Sequence, residues 1–178
     1  MPHPDGARLR PAPLVALAVL ALAAGCTLAR SSSAGDPPGT ATVDHVVDGD
    51  TVEVTLGRRT ETVRLLGIDT PETVKPGAPV DCFGPEASAR TKDLLPAGTE
   101  VRLTRDVELR DRYDRLLAYV ARASDDLFVN RALVADGYAR TLAIAPNDAH
   151  RAELAAAERD ARAAGRGLWG ACSGAPPR

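Results

Sequence analysis

Three short segments of this 178-residue chain carry more charge than their surroundings explain. The first is Asp48-Gly49-Asp50-Thr51. Asp-Gly is a strong tight-turn pair and needs nothing further, but a second Asp straight after the turn is unexpected, because Asp is depleted in strands. The second runs from Val63 to Glu72, where an apolar stretch holds one arginine, Arg64, and ends in Asp69, Thr70, Pro71 and Glu72. An arginine flanked by apolar residues is costly unless it meets an anion. That anion is either Asp69 or Glu72, in a structural ion pair, or a ligand. Asp69, Glu72 and Asp50 gather oxygen-bearing acids at strand ends, which suits a hard cation such as Ca²⁺; the plainer reading is a set of solvated loop acids. The third segment is Arg110-Asp111-Arg112-Tyr113-Asp114-Arg115, ahead of Leu116 to Val120. It reads as a charged turn feeding an apolar strand, with Arg115 at the strand's first position, or simply as a solvated turn.

The elements that position these groups follow from periodicity and breakers. Thr40–Val47 is β-branched and reads as a strand, the Asp-Gly turn follows, and Thr51–Leu56 alternates with period two. Gly57 turns the chain into a third strand, Thr60–Ile68. Residues 73–82, with two Pro and a Gly, form a loop. Gly84-Pro85-Glu86 opens a helix that Pro96 and Gly98 end. Glu100–Thr104 and Arg115–Val120 are the fourth and fifth strands. Helical spacing covers Leu127–Asp136, closed by Gly137, and an Ala-, Glu- and Arg-rich helix covers Asp148–Ala164. Five short strands with a helix between the third and fourth predict an α+β, β-rich fold: a five-stranded OB-fold barrel with about three packed helices.

Bulk properties narrow the partners. A formal net charge of −2 argues against a protein that coats nucleic acid by phosphate neutralisation, and requires any polyanion site to be a local arginine cluster or a bound cation. Aromatics at 3% leave the core to Val, Leu, Ile and Ala.

The N-terminus carries Arg8 and Arg10 and then an uncharged apolar run from Pro11 to Ala24, the pattern of a secretory signal over 1–25. The run is short for a permanent anchor helix, the competing reading. Cys26 directly after Ala23-Ala24-Gly25 resembles a lipidation site, against ordinary cleavage without lipid. Residues 26–39 then form a Ser-, Gly- and Pro-rich tether, 40–173 the folded domain and 174–178 a tail. The expected location is the outer face of the cell membrane as a lipoprotein, or the medium. Disulfides persist there, so Cys82 and Cys172 are expected to pair. Free thiols and a metal pair are the alternatives, and two isolated Cys make a poor metal site. Closing so long a loop is worth on the order of 4 kcal/mol in the chain-entropy model.

The charged segments also belong to longer motifs: DGDTVEV (48–54), VRLLGIDTPET (63–73), CFGPEASARTKDLL (82–95), DRYDRLLAYV (111–120) and VNRALVADGYAR (129–140). Together and in this order they resemble the thermonuclease, or staphylococcal-nuclease-like, family over roughly residues 40–170. The resemblance implies a monomeric OB-fold phosphodiesterase that needs Ca²⁺ and cuts DNA and RNA, leaving 3′-phosphates. It implies catalytic roles for Arg64, Glu72 and Arg115. It implies metal ligands at Asp50, Asp69 and Thr70, the last through its carbonyl, with Asp48 beside the metal. Arg112 and Tyr113 match positions that touch a terminal phosphate, and Tyr113 reads equally well as a packing residue.

Two departures stand out. The stretch Arg140–Ala145 before Pro146-Asn147 has no aromatic where the family stacks a base, and such stacking is worth about 1–3 kcal/mol. Asp114 stands where a turn glycine is usual; Asp tolerates left-handed backbone better than most residues. Two other readings compete with the enzyme: a non-catalytic OB-fold module that captures extracellular nucleic acid, and a structural envelope lipoprotein. The second gives no reason for Arg64 in an apolar strand.

Overall fold

The computed structural model describes residues 39–73 and 80–172. The signal segment, Cys26, nearly all of the tether and the 174–178 tail lie outside the described residues. Five strands close a barrel in the order β1-β2-β3-β6-β5. They are β1 (Gly39–Asp48), β2 (Thr51–Leu56), β3 (Arg59–Leu65), β5 (Glu100–Thr104) and β6 (Leu116–Arg122). All neighbours are antiparallel except β3 and β6, and β5 returns to β1 to complete the ring. This is the expected OB-type barrel. Its interior is aliphatic, as the scarcity of aromatics requires: Val43, Val52, Val54, Val63, Leu65, Val101 and Val120 are all essentially inaccessible to solvent.

Among the described residues there are four helices rather than three, and seven strands rather than five. α1 (Gly84–Leu94), α2 (Val129–Ala135) and α3 (Arg151–Ala163) were foreseen, each within a few residues of its expected ends. The last, α4 (Leu168–Ala171), follows Gly167 and is too short to carry a periodic signal. The foreseen third strand breaks at Leu66. Gly67 takes a left-handed φ of 76°, and the next three residues become β4 (Gly67–Asp69), paired with β7 (Arg140–Leu142) in a separate two-stranded sheet. Gly67 also lacks the room for a side chain, since a Cβ there would lie 2.5 Å from Leu154 Cδ1 on α3. The broken ladder is repaired locally. The Leu66 N–H donates to Ala118 O at 2.9 Å, and the Leu66 carbonyl accepts the fully buried Asn130 amide at 2.8 Å. Buried polar groups left unpaired would otherwise cost about 1–3 kcal/mol each.

β6 is buried along its first five residues because both faces are covered. Leu116, Ala118 and Val120 face the barrel, while Leu117 and Tyr119 pack outside it with Leu66. The expected Cys82–Cys172 disulfide is formed, across 90 residues of sequence. It ties the residues before α1 to the end of α4.

Candidate active site

The barrel register sets the site. Thr51 pairs with Arg64, so the β1–β2 turn is delivered to the end of β3, and the Leu65 N–H donates to Asp50 O at 2.9 Å. Gly49 in that turn is needed for space. A Cβ on it would lie 2.6 Å from Thr70 Oγ1, so only glycine lets the β1–β2 turn meet the segment that leaves β4. Asp50 completes the meeting. Its Oδ2 accepts the Thr70 N–H at 3.0 Å, and both residues are buried.

Arg64 is held from two sides. One terminal nitrogen donates to the carbonyls of Leu65 at 2.6 Å and Ile68 at 2.9 Å. The other lies 3.0 Å from Asp50 Oδ2 and 3.4 Å from Asp69 Oδ1. The ion pair raised from sequence therefore exists, but its nearest acid is Asp50 instead of Asp69 or Glu72. Two backbone carbonyls thus hold Arg64 in addition to the acids.

Arg115 comes from the other side of the β3–β6 junction, one residue before β6. Its Nε and one terminal nitrogen both lie 2.7 Å from Asp111 Oδ2. Asp114 takes a left-handed φ of 66°, so Asp serves in place of the expected turn glycine. Burial pushes the Asp111 carboxyl up, but hydrogen bonds from Arg115 and the Tyr113 amide outweigh it and hold the group below the usual carboxylate range. Tyr113 is 65% exposed and is no packing residue. Its ring lies against the guanidiniums of Arg112 (4.7 Å) and Arg115 (5.5 Å).

One open hollow of about 220 Å³ is lined by Asp48, Asp50, Arg64, Asp69, Thr70, Pro71, Glu72 and Arg115. The structure thus brings together every residue singled out from sequence except Arg112 and Tyr113, which stand on the adjoining turn. Within this hollow Asp48 is pushed up to about 6, first by burial, then by the charge of Asp50, with Glu72 adding to it.

Four carboxylates facing two guanidiniums suit a cation. Asp50 and Asp69 already converge on a single positive nitrogen of Arg64, which marks where their oxygens can share charge. Among the described residues no group of three or more acids, His or Cys converges closely enough to form a closed metal cage. Asp50 and Asp69 could hold a hard cation in an open oxygen site, with positions left for water and substrate.

A second hollow of about 280 Å³ shares both arginines. Leu117, Leu142 and Ile144 give it an aliphatic wall, and Asp111, Glu108 and Asn147 also line it. Asn147 is buried and exchanges two hydrogen bonds with the Glu108 backbone. The stretch 140–145, noted for its lack of aromatics, therefore supplies part of this wall. Sequence reasoning missed Asp111, although its spacing of four from Arg115 within one charged segment was a usable signal. It also missed Leu142 and Ile144 as lining residues; β7 is only three residues long and gives no periodic pattern.

The barrel and this hollow define a class: a small OB-fold protein with two arginines and a crowd of carboxylates at one phosphate-sized site. The sequence model of the family described as Staphylococcal nuclease homologue matches residues 62–171. The thermonuclease of Staphylococcus intermedius is 42% identical over 127 residues, covering 71% of this chain and 74% of that protein. The thermonuclease of Staphylococcus hyicus is 38% identical over 127 residues, covering 71% and 73%. Endonuclease YncB of Bacillus subtilis is 37% identical over 130 residues, covering 72% of this chain and 60% of that protein. The chain belongs to the staphylococcal nuclease family, and with it to the hydrolases of phosphodiester bonds.

Proposed function

We propose that this protein is an exported Ca²⁺-dependent endonuclease that hydrolyses DNA and RNA and leaves 3′-phosphates. The observation that carries the reading is the convergence of Arg64 from β3 and Arg115 from the turn before β6 with Glu72, Asp50 and Asp69 around one open hollow. In this reading a phosphodiester lies between the two guanidiniums. Attack of water on phosphorus builds negative charge on the phosphoryl oxygens, and planar guanidiniums bind such oxygens bidentately. Stabilisation that grows toward the transition state is what accelerates the step. Glu72 orients the water and takes its proton. A bond forms between phosphorus and the water oxygen as the P–O5′ bond breaks, the 5′ oxygen takes a proton from solvent and leaves as a hydroxyl, and the phosphate stays on the 3′ oxygen. A bound Ca²⁺, held by Asp50, Asp69 and the Thr70 carbonyl, supplies Lewis-acid polarisation and charge neutralisation. Arg112 and Tyr113 contact an adjacent phosphate, and the aliphatic hollow receives a base without aromatic stacking. Export as a lipoprotein through Cys26, or as a secreted protein, fits the N-terminal pattern and the disulfide.

The test is cleavage of single-stranded DNA by the folded domain with Ca²⁺, with EDTA, and with Glu72→Gln. Cleavage is expected with Ca²⁺ alone, and a loss of about two orders of magnitude or more for the variant, the scale of a general base. Tight binding with no Ca²⁺-dependent cleavage would instead identify a non-catalytic nucleic-acid-binding module.

A further inference from the structure

Glu72 sits where the sheet gives it no support. β4 ends at Asp69, and the next three residues leave the ladder. Two N–H groups of that departing segment, with Pro71 between them, are captured by aspartates. The Thr70 N–H goes to Asp50, and the Glu72 N–H donates to Asp81 Oδ2 at 2.8 Å. The Asp81 N–H returns a bond to Glu72 O at 3.0 Å. One residue thus grips both polar groups of the Glu72 main chain.

The turn that presents Asp81 is itself braced. The Gly84 N–H donates to Asp81 O at 3.0 Å. Gly84, the first residue of α1, abuts the Glu72 peptide so closely that a Cβ there would lie 2.9 Å from Glu72 O. Phe83 is held at a left-handed φ of 70° with its ring 5.2 Å from that of Tyr138. A non-glycine residue in that conformation persists only where its surroundings over-determine it. Cys82, directly after Asp81, is fixed by the disulfide to Cys172.

We propose that Asp81 is a positioning residue for Glu72, gripping its main chain so that its carboxylate stays over the phosphate hollow. The inference rests on the reading of Glu72 as the group that handles the attacking water. A charge-assisted hydrogen bond from a main-chain N–H to a carboxylate is stronger than a neutral one, and a displacement of about 1 Å at a catalytic group can cost on the order of a hundredfold in rate.

The experiment compares the parent, Asp81→Ala and Asp81→Asn in steady-state cleavage of an oligonucleotide with Ca²⁺, well below each variant's unfolding midpoint. Amide exchange of the Glu72 N–H is read by NMR in the same proteins. Asp81→Ala is expected to lower kcat about tenfold or more while KM stays within about twofold, the pattern of a loss confined to the chemical step. Its Glu72 N–H should exchange faster. Asp81→Asn, whose amide oxygen can accept the same bond, should recover most of the rate. An Asp81→Ala variant with unchanged kcat, or a rise in KM that the Asn variant does not reverse, overturns the proposal. If the parent itself does not cleave, the nuclease reading fails. The exchange rate still decides the grip: an unprotected Glu72 N–H in Asp81→Ala supports it, and unchanged protection removes it.

Discussion

Arg64 and Arg115 are oriented by different means, and the difference sets how each responds to change. Arg64 leans on backbone carbonyls as well as acids. Arg115 finds its acid in a single side chain, since Asp111 Oδ2 holds its guanidinium while Oδ1 accepts the N–H groups of Tyr113 and Arg115. Asp111→Asn keeps an acceptor for part of this turn but loses the charged fork. It is expected to lower kcat and to loosen the turn. The stability effect has a defined pH window. Asp111 is lowered in the folded protein, so its contribution is present above the unfolded carboxyl value of about 3.9. It is surrendered as pH falls through the lower folded value. The parent should therefore melt above the variant at pH 7, and the two midpoints should converge below about pH 4. A gap in melting midpoint that is constant from pH 7 down to pH 3 would show that Asp111 acts by shape alone.

At the scale of elements, the site depends on three chain segments meeting at points too tight for side chains. Gly49 is the one of these that bears on the acids. Gly49→Ala drives a Cβ into Thr70 and so disturbs the Thr70–Asp50 contact that joins the β1–β2 turn to the end of β4. Overpacking of this kind costs about 1–3 kcal/mol, and Ca²⁺ affinity should fall with it. Gly57→Ala is the control. Gly57 has a φ of 65° but open space around it, so denaturant titration should register a backbone cost of about 1 kcal/mol while calorimetry finds Ca²⁺ binding unchanged. Equal loss of Ca²⁺ affinity in both variants would mean that the Gly49–Thr70 approach does not organise the ligands. The approach of Asp50 to the acids at and after the end of β4 was legible in sequence, because a tight hairpin fixes register and strand neighbours; that Arg64 pairs first with Asp50 was not. The break at Leu66 was not. Nine residues rich in apolar side chains read as one strand, and the contacts that split it come from Leu154 and Asn130, far along the chain. Asp81 was hidden for the same reason: it stands nine positions after Glu72, at a spacing that matches no local pattern.

At the scale of the whole molecule, a net charge of −2 must be reconciled with a polyanionic substrate. The surface does so in part by pairing arginines with acids in place. Arg90 pairs with Asp136, Arg102 with Asp126, Arg110 with Glu61 and Arg122 with Asp125. Arg140 and Arg162 lie over the ring of Trp169. In the proposed reading the cations that face substrate are those at the hollow and its adjoining turn, Arg64, Arg115 and Arg112. Binding to a single strand releases counterions in proportion to the phosphates neutralised, with a slope of log K against log salt of about −0.7 per phosphate. Three contacts give a slope of about −2. Titration of the Glu72→Gln variant with a single-stranded oligonucleotide at fixed Ca²⁺, across about 50 to 200 mM salt, measures it. A shallow slope near this value, together with affinity that collapses on addition of EDTA, is expected of a protein whose attraction for nucleic acid is confined to one cation-assisted site. A slope steeper than about −5 would require seven or more phosphate contacts, and would mean that cations outside the hollow also follow the strand.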